Sequence, residues 1–316
     1  FAHVFLPPLR ATAGAAFSTE QWPPAVRRTL AADLLRRWCR LAGRALYEGF
    51  CEVPTIADEL VDSDRTRYAA FVHDVSIGGL AQLLLAFPVL GRLLAVARRQ
   101  WLDAVTELSD RLQRDLPLLR QRFGVPSTAG RTSRSALTGI EWPLSDPHRG
   151  GRAVAVLHFG EQRLVYKPKD LGLEAAYNAL LRDWARPAGL QLRALDVLPR
   201  SDAAGCYGYV EFAAYEPAHD LDRFFARAGQ LLALLHLLGC SDGHNENLLV
   251  SGDDYLLVDP ETMFEAPLRG AEAADEQPAT SVLGLGILPR WRQAAATEAV
   301  EDVSALGHPG AEADAT

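Results

Sequence analysis

A polar loop that directly follows an apolar helix-forming segment contains the residue types that phosphoryl transfer requires. It reads Ser241-Asp-Gly-His-Asn-Glu-Asn247, and an acidic segment, Asp259-Pro-Glu261, follows after two short apolar runs. Asp242 can accept the proton of a hydroxyl nucleophile, while Asn247 and Asp259 offer the hard oxygen ligands that Mg²⁺ prefers. A lone Asp-x-His-x-x-Asn would fit an ordinary polar turn equally well. The apolar runs and the second acidic residue favour the catalytic interpretation.

Lysine is rare in this chain, which makes the positions of its lysines informative. Of 32 Lys and Arg residues only Lys167 and Lys169 are lysine, and they stand at the end of a β-like run. Lysines retained in such an arginine-rich chain indicate a task that a guanidinium does not perform. In kinase-like folds a strand lysine contacts the nucleotide phosphates. We assign that role to Lys167, with a solvated strand end as the alternative, and regard Lys169 as the weaker candidate. Glu174 on the next helix is the nearest acidic partner, although a surface position fits it equally well.

Two further segments are candidates for contacts with a nucleotide. In the first, Gly150-Gly151 follows Asp146 and His148 just before a β-like run. The glycines would let backbone N–H groups approach a phosphate, and the Asp and His side chains could do acid–base chemistry beside it. Alone, this segment also fits an ordinary turn. In the second, Glu211 and Phe212 end another β-like run, where a hinge would offer backbone groups to adenine. A buried strand end fits that segment nearly as well.

The elements that must position these residues are helices first and a small β-rich part afterwards. Periodicity predicts helices over 25–47, 65–123, 173–184 and 220–238, and strands over 153–159, 163–167, 195–198, 207–212, 248–250 and 255–258. The second helical block is interrupted near Pro88, because proline ends or kinks a helix. The apolar stripe from Trp101 to Leu119 is typical of a buried helix face. This order predicts an α+β fold rather than alternating βαβ units.

Composition excludes several functional classes. The 316 residues carry 32 basic and 40 acidic side chains, a net charge of −8, which argues against a dedicated nucleic-acid binder. Gly, Pro or charged residues interrupt the apolar stretches before about 18 residues, so we expect no membrane span. The cysteines form no C-x-x-C pair and the histidines lack metal-ligand spacing. We therefore expect reduced thiols, a cytoplasmic location and no zinc. His236, in an apolar helix, is predicted to be a core histidine.

Taken together, these segments resemble the dehydratase domain of class II lanthipeptide (lantibiotic) synthetases of the LanM type. The resemblance covers most of the chain, from about residue 1 to residue 307. Its motifs are Asp146-Pro-His-Arg-Gly-Gly-Arg152, Tyr166-Lys-Pro-Lys169, Tyr207-Gly-Tyr-Val-Glu-Phe212, Asp242-Gly-His-Asn-Glu-Asn247 and Asp259-Pro-Glu261. The Asp-x-His-x-x-Asn motif followed by an acidic loop is also shared with phosphoinositide 3-kinases, to which the fold of this family is similar.

The resemblance implies a two-step dehydration of a ribosomal precursor peptide that carries a leader. ATP would phosphorylate Ser and Thr side chains, and loss of the phosphate would leave dehydroalanine or dehydrobutyrine. Carried over to this sequence, Asp242 would be the phosphorylation base with His244 supporting it. Asn247 and Asp259, aided by Glu261, would hold Mg²⁺.

The remaining site residues are assigned from the same resemblance. Lys167, in preference to Lys169, would contact the nucleotide phosphates, and Asp146 and His148 match positions near the reacting phosphate. The Asp146 and His148 segment favours a dehydratase over a kinase that acts on a lipid or small-molecule hydroxyl, because a plain kinase needs no eliminating groups beside the phosphate. A third interpretation is an inactive peptide-binding remnant. The intact Asp242 and the other intact site residues count against it.

The implied architecture is a lipid-kinase-like two-lobed fold with an N-terminal helical region and a truncated C-terminal lobe. We expect a helical region over 1–130, a small lobe over 131–212, and the start of a large lobe over 213–316 with a flexible tail from about residue 294. The chain begins with Phe1 rather than Met, so we expect it to be a piece of a longer protein. The arginine and threonine with which the family assists elimination, and its zinc cyclase domain, are expected beyond residue 316. We therefore expect this chain alone to dehydrate peptides poorly.

Overall fold

The computed structural model shows a chain that divides into two compact units, Phe1–Pro168 and Lys169–Thr316. The structure describes residues 2–16, 22–52, 63–126, 136–148, 150–264, 281–288, 291–293, 300–302 and 306. The tail predicted from about residue 294 lies mainly outside these described residues. Helices and strands both contribute to the fold, which confirms the predicted α+β class.

The first unit begins with helices, and apolar periodicity predicts those that follow the first one. The helices are α1 (Ala2–Ala16), α2 (Pro24–Cys51), α3 (Ser63–Asp74), α4 (Leu80–Ala86) and α5 (Pro88–Phe123). Pro88 opens α5, where the missing N–H of proline would have had no helical partner. Gly124 ends α5 in the left-handed conformation, with φ of 68°. The predicted interruption near Pro88 is therefore confirmed as a helix boundary.

The core of the helical part lies between α2 and α5. The predicted stripe on α5 is buried, with Trp101, Leu108 and Leu119 fully enclosed. The indole N–H of Trp101 donates to the carbonyl of Leu30 on α2 at 2.9 Å, so the ring's polar edge is satisfied inside the core. The stripe thus builds the interface between the two long helices.

One helical segment of the first unit is long and apolar enough to cross a membrane by length and composition. It spans Arg65–Ala86, its mean hydropathy reaches 1.5, and only 11% of that window is buried. We expected no membrane span because glycines and charged residues interrupt the apolar stretches, and Gly78 is one such interruption. This glycine has a non-helical φ of 149° inside the π-helical turn Val75–Gly79 that joins α3 to α4. The segment is therefore two helices of 12 and 7 residues joined at a kink.

An antiparallel sheet completes the first unit. Its strands are β1 (Gly139–Glu141), β2 (Ala155–Phe159) and β3 (Gln162–Lys167), and β2 pairs with both others. The turn between β2 and β3 lies at Gly160, as the sequence predicts, with φ of 71°. The three-residue β1 was not predicted, because so short a run carries no recognisable alternation. The β3 strand ends at Lys167, so the sheet fixes the position of the first lysine.

The described residues of the second unit form helices and antiparallel hairpins. In chain order they are α6 (Gly172–Leu180), β4 (Val197–Asp202), β5 (Gly205–Glu211), α7 (Leu221–Leu237), β6 (Leu248–Ser251) and β7 (Asp254–Leu257). A π-helical turn, Leu181–Ala185, extends α6, and a 3₁₀ turn, Val282–Leu285, follows the second hairpin. Two short strands not predicted from the sequence, β8 (Trp291–Gln293) and β9 (Val300–Asp302), also pair.

The core of the second unit gathers side chains from α6, α7 and the β6–β7 hairpin. Leu231, Leu235 and Leu257 are among its buried members. The prediction that His236 is a core histidine is wrong, since this side chain is exposed. The buried stripe of α7 passes through Leu231 and Leu235, which turns the next residue towards solvent. His236 is thus a surface residue one position beyond the last buried leucine.

Candidate functional site

The loop Ser241–Asn247, called the Asp242 loop below, is held between α7 and the β6–β7 hairpin. Gly239 reverses the chain after α7 with a φ of 63°, and the N–H of Cys240 donates to the carbonyl of Leu235 at 3.0 Å. At the other end, the N–H of Val258 donates to the carbonyl of Asn247 at 2.8 Å. Both ends of the loop are therefore tied to regular structure.

Three predicted site residues come together within this loop. The Nδ1 atom of His244 lies 2.9 Å from Oδ1 of Asp242. The side-chain amide of Asn247 donates to Oδ2 of Asp242 at 3.0 Å and to its backbone carbonyl at 2.9 Å. Each carboxylate oxygen thus has a partner, while the side chain stays 47% exposed. This is an oriented carboxylate that can accept a proton from a group arriving from solvent.

The backbone of the segment around Leu285 packs closely against the Asp242 loop at Gly243. The N–H of Gly243 donates to the carbonyl of Leu285 at 2.7 Å. A Cβ on Gly243 would stand 2.6 Å from that oxygen and 3.0 Å from Cγ1 of Ile287, so only glycine fits here. Gly286, with φ of 81°, faces Gly243 backbone to backbone. Sequence reasoning missed this support, because Leu285 and Gly286 lie far from Gly243 in the sequence.

The hairpin brings the acidic segment to the end of the Asp242 loop. Val258, whose N–H pairs with Asn247, directly precedes Asp259. The ammonium group of Lys169 forms an ion pair with Asp259 and a second one with Glu261 at 2.6 Å. Partial burial lowers the pKa of Lys169, but hydrogen bonds to the two carboxylates outweigh it and raise the pKa above its ordinary value. Lys169 is therefore a positive charge held by two of the predicted metal ligands.

The donor chemistry of this segment fits a divalent cation. Asp259 and Glu261 already converge on one positive charge, and carboxylate oxygens are the ligands that Mg²⁺ favours. Among the described residues no three His, Cys, Asp or Glu side chains form a metal-binding group. A site formed by two carboxylates and the side-chain amide of Asn247 has only two ligands of those residue types, so it would not count as such a group.

The other predicted catalytic residues lie in the first unit. Asp146 and His148 are exposed on the connection between β1 and β2. His148 pairs with Arg152 through two backbone hydrogen bonds of 2.8 and 3.0 Å, which close a narrow turn. Lys167 is 6% exposed at the end of β3. Its candidate partner Glu174 belongs to the second unit, where it is 3% exposed and so not a surface residue.

The predicted adenine-contacting segment ends β5. The N–H of Glu211 donates to the carbonyl of Asp196 at 2.8 Å, and its carboxylate pairs with Arg193 at 2.8 Å and accepts the N–H of Asp196 at 3.1 Å. The N–H and carboxylate of Glu211 are therefore engaged within the unit. Phe212 follows directly after the strand and is half-buried. Arg193, which holds Glu211, carried no recognisable signal in the sequence.

Comparisons with known proteins agree with the motifs. Residues 87–315 match the family described as "Domain of unknown function (DUF4135)". The chain is also 25% identical over 240 residues to the "Lacticin 481/lactococcin biosynthesis protein LcnDR2" of Lactococcus lactis subsp. lactis. That alignment covers 71% of this chain and 25% of the relative, so the chain spans about a quarter of the length of the curated relative that it matches.

Proposed function

Because the chain belongs to the DUF4135 family, which is found in LanM-type lanthipeptide synthetases, we propose that it phosphorylates a precursor peptide. ATP is the proposed phosphate donor, Mg²⁺ the proposed metal, and Ser or Thr hydroxyl groups the proposed acceptors. Elimination of the phosphate then completes the dehydration. The proposal includes the kinase-like two-lobed fold that the motifs imply and a cytoplasmic location. The Lactococcus relative is a lacticin 481/lactococcin biosynthesis protein, which supports this substrate class.

The arrangement around Asp242 is the observation that carries the proposal. His244 and Asn247 hold one carboxylate oxygen each, at 2.9 and 3.0 Å, which fixes the orientation of the group. In the proposed transfer, Asp242 accepts the proton of the peptide hydroxyl as the hydroxyl oxygen bonds to the γ-phosphorus of ATP. The bond from that phosphorus to the bridging oxygen of ADP breaks in the same displacement. An oriented carboxylate removes the need to position the base at the moment of reaction.

The metal-binding and nucleotide-binding roles follow from the acidic segment and the lysines. Asn247, Asp259 and Glu261 would hold Mg²⁺, which when bound supplies positive charge that neutralises the phosphate oxygens. Lys169 holds Asp259 and Glu261 in the structure, so these carboxylates keep their orientation around a positive charge. Lys167 is the proposed phosphate contact.

The elimination step is assigned to the first unit. Loss of phosphate from a phosphoserine needs a base that removes the α-proton while the C–O bond breaks and the phosphate leaves with the electron pair. Asp146 and His148 are the proposed acid–base groups for this step, since both are exposed and stand two positions apart. A plain kinase would have no use for such a pair.

Mass spectrometry of the reacted peptide tests the proposal. The full-length gene product is incubated with ATP, Mg²⁺ and a precursor peptide encoded beside it, and Asp242→Asn serves as the isosteric control. We expect the wild type to yield peptides that have lost water, with phosphorylated intermediates, and Asp242→Asn to yield neither. Phosphopeptide without water loss would overturn only the elimination step. An unmodified peptide despite measured ATP binding would overturn the proposed acceptor, and absence of ATP binding would overturn the whole proposal.

A further inference from the structure

The connection between residues 145 and 154, described at 145–148 and 150–154 and called the Asp146 loop below, is held together by hydrogen bonds. The N–H of Leu144 donates to the carbonyl of Val154 at 3.0 Å, and the hydroxyl of Ser145 accepts the N–H of Val154 at 3.1 Å. Further along, His148 and Arg152 exchange both backbone hydrogen bonds. The loop is therefore a narrow hairpin, and the exposed Asp146 and His148 lie on its outgoing arm.

The return arm of this hairpin packs against the long helices of the same unit. Gly151 is buried with φ of 92°, and a Cβ there would stand 3.1 Å from Cβ of Gln100 on α5 and 3.2 Å from a guanidinium nitrogen of Arg37 on α2. The backbone carbonyl of Gln100 is equally close, at 3.2 Å. The absence of a side chain at Gly151 thus lets the loop lie directly on α2 and α5.

An ionic contact fixes the next residue to α5. The guanidinium of Arg152 binds the carboxylate of Glu107 through both oxygens, with N–O distances of 2.6, 2.8 and 3.0 Å. Glu107 also pairs with Arg111, which is only 1% exposed and donates to the hydroxyl of Tyr166 on β3 at 2.8 Å. Glu107 therefore connects the helix, the Asp146 loop and the sheet. Because the side chain of Glu107 is only 14% exposed, solvent screens this contact weakly.

We infer that Glu107 and Arg152 form a positioning pair, by which α5 holds Asp146 and His148 in place for the reaction. This inference rests on the proposed function, because it assumes that those two side chains act on the phosphorylated peptide. It makes α5 part of the catalytic apparatus rather than a separate cap. The match to the DUF4135 family begins at residue 87, one position before α5, so this helix and the loop both lie within the matched region.

A bidentate contact restrains both the distance and the angle of the group it binds. Glu107→Gln keeps the size of the side chain but removes its charge and one acceptor. Arg152→Lys keeps the charge but loses the planar fork. A displacement of about 1 Å at reacting groups costs about 100-fold in rate. We expect a 10- to 100-fold loss of turnover in Glu107→Gln and Arg152→Gln, a smaller loss in Arg152→Lys, and an unchanged KM for the peptide.

The experiment measures dehydration kinetics of these variants in the full-length gene product. Leu46→Ala is the control for general stability, because Leu46 is fully buried on α2 of the same unit and its truncation destabilises the core. Each variant is then combined with His148→Ala. If Glu107 acts through the loop, Glu107→Gln adds little to the loss that His148→Ala has already caused.

The outcomes separate a positioning role from general stability. The inference is supported if Glu107→Gln lowers turnover more than Leu46→Ala does and adds little to the loss caused by His148→Ala. It is overturned if the double variant loses the product of the two single losses, or if Glu107→Gln loses no more turnover than Leu46→Ala. Hydrogen exchange at the His148 and Arg152 amides supplies a readout that does not depend on activity. Faster exchange in Glu107→Gln than in Leu46→Ala supports the positioning role, and equal exchange overturns it. Wild-type protein without any turnover would overturn the proposed function, while hydrogen exchange would still decide whether the pair holds the loop.

Discussion

Replacing Gly243 by alanine would force a side-chain atom into the backbone that supports the Asp242 loop. The new Cβ would lie 2.6 Å from the carbonyl oxygen of Leu285, whereas ordinary van der Waals contact begins at 3.4 Å. The Asp242 loop and the segment that carries Leu285 cannot easily move apart, because the same carbonyl oxygen accepts the N–H of Gly243 at 2.7 Å. The backbone of Gly243 is not left-handed, so this substitution tests packing rather than conformational strain.

The geometry sets the expected size of the effect. Relief of the clash requires about 0.8 Å of relative movement between the Asp242 loop and the segment that carries Leu285. Overpacking of this kind costs about 1–3 kcal/mol of folding stability. Movement of a catalytic group by about 1 Å costs about 100-fold in rate, because the reacting atoms lose their alignment. We therefore expect Gly243→Ala to reduce phosphoryl transfer far more than the loss of folded protein explains.

Gly229→Ala is the matched control, since it adds the same methyl group where the structure has room. Gly229 lies in the interior of α7, and nothing stands within 4 Å of its Cβ position. Alanine in such a place stabilises a helix by about 0.5–1 kcal/mol. The two variants should thus shift the free energy of unfolding in urea in opposite directions, and only Gly243→Ala should slow phosphopeptide formation. Equal stability of the two variants, or unchanged turnover in Gly243→Ala, would refute the packing argument.

Three further predictions follow from contacts of individual side chains. The side-chain amide of Asn247 donates to Asp242 at 3.0 Å, and Asn247→Asp replaces it by a second carboxylate. Initial rates of phosphopeptide formation should therefore fall about 10- to 150-fold. Retention of most of the activity would contradict this role of Asn247. Asp253 accepts hydrogen bonds from the backbone N–H groups of Asp220 and His219, which lower its pKa. Asp253→Asn should therefore reduce the free energy of unfolding at neutral pH, and the difference from wild type should vanish as the pH falls below the ordinary value of 3.8. A difference that does not depend on pH would show that the charge of Asp253 is not involved. Leu85 is 74% exposed, whereas Leu94 is 8% exposed. In urea unfolding, Leu85→Ser should change the free energy of unfolding by less than about 0.5 kcal/mol, and Leu94→Ser should lower it by about 2–5 kcal/mol. Equal effects would mean that the face of α4 bearing Leu85 is covered.

The sequence was sufficient where structure depends on neighbours along the chain. The helical stripe on α5, the boundary at Pro88 and the β6–β7 hairpin all arise from local patterns, and the structure confirms them. The clustering of Asp242 with Asn247 is local as well, because the two residues are five positions apart in one loop. His236 was misjudged because an apolar helix has an exposed face, and its composition alone does not tell which residues lie there.

The supports of the site could not be predicted, because they join residues that are distant in sequence. Glu107 reaches Arg152 across 45 positions, and Lys169 reaches Asp259 across 90. No periodicity relates such residues, and each taken alone is an ordinary charged residue on a helix or a loop. The glycine contact at Gly243 likewise depends on the segment at Leu285, which arrives from beyond the hairpin. The sequence therefore offers candidates for the groups that do the chemistry, but not the contacts that hold them in place.

The two lysines illustrate both the reach of sequence reasoning and its limit. Their rarity among 32 basic residues indicated a task for an ammonium group, and the strand position favoured Lys167. In the structure Lys169 is the lysine that meets Asp259 and Glu261. An ammonium is a compact point charge that two carboxylates can share, whereas a guanidinium is a planar fork suited to binding one carboxylate through both oxygens. The contact gives Lys169 a task that suits an ammonium group, and Lys167, buried at the end of β3, remains the proposed phosphate contact.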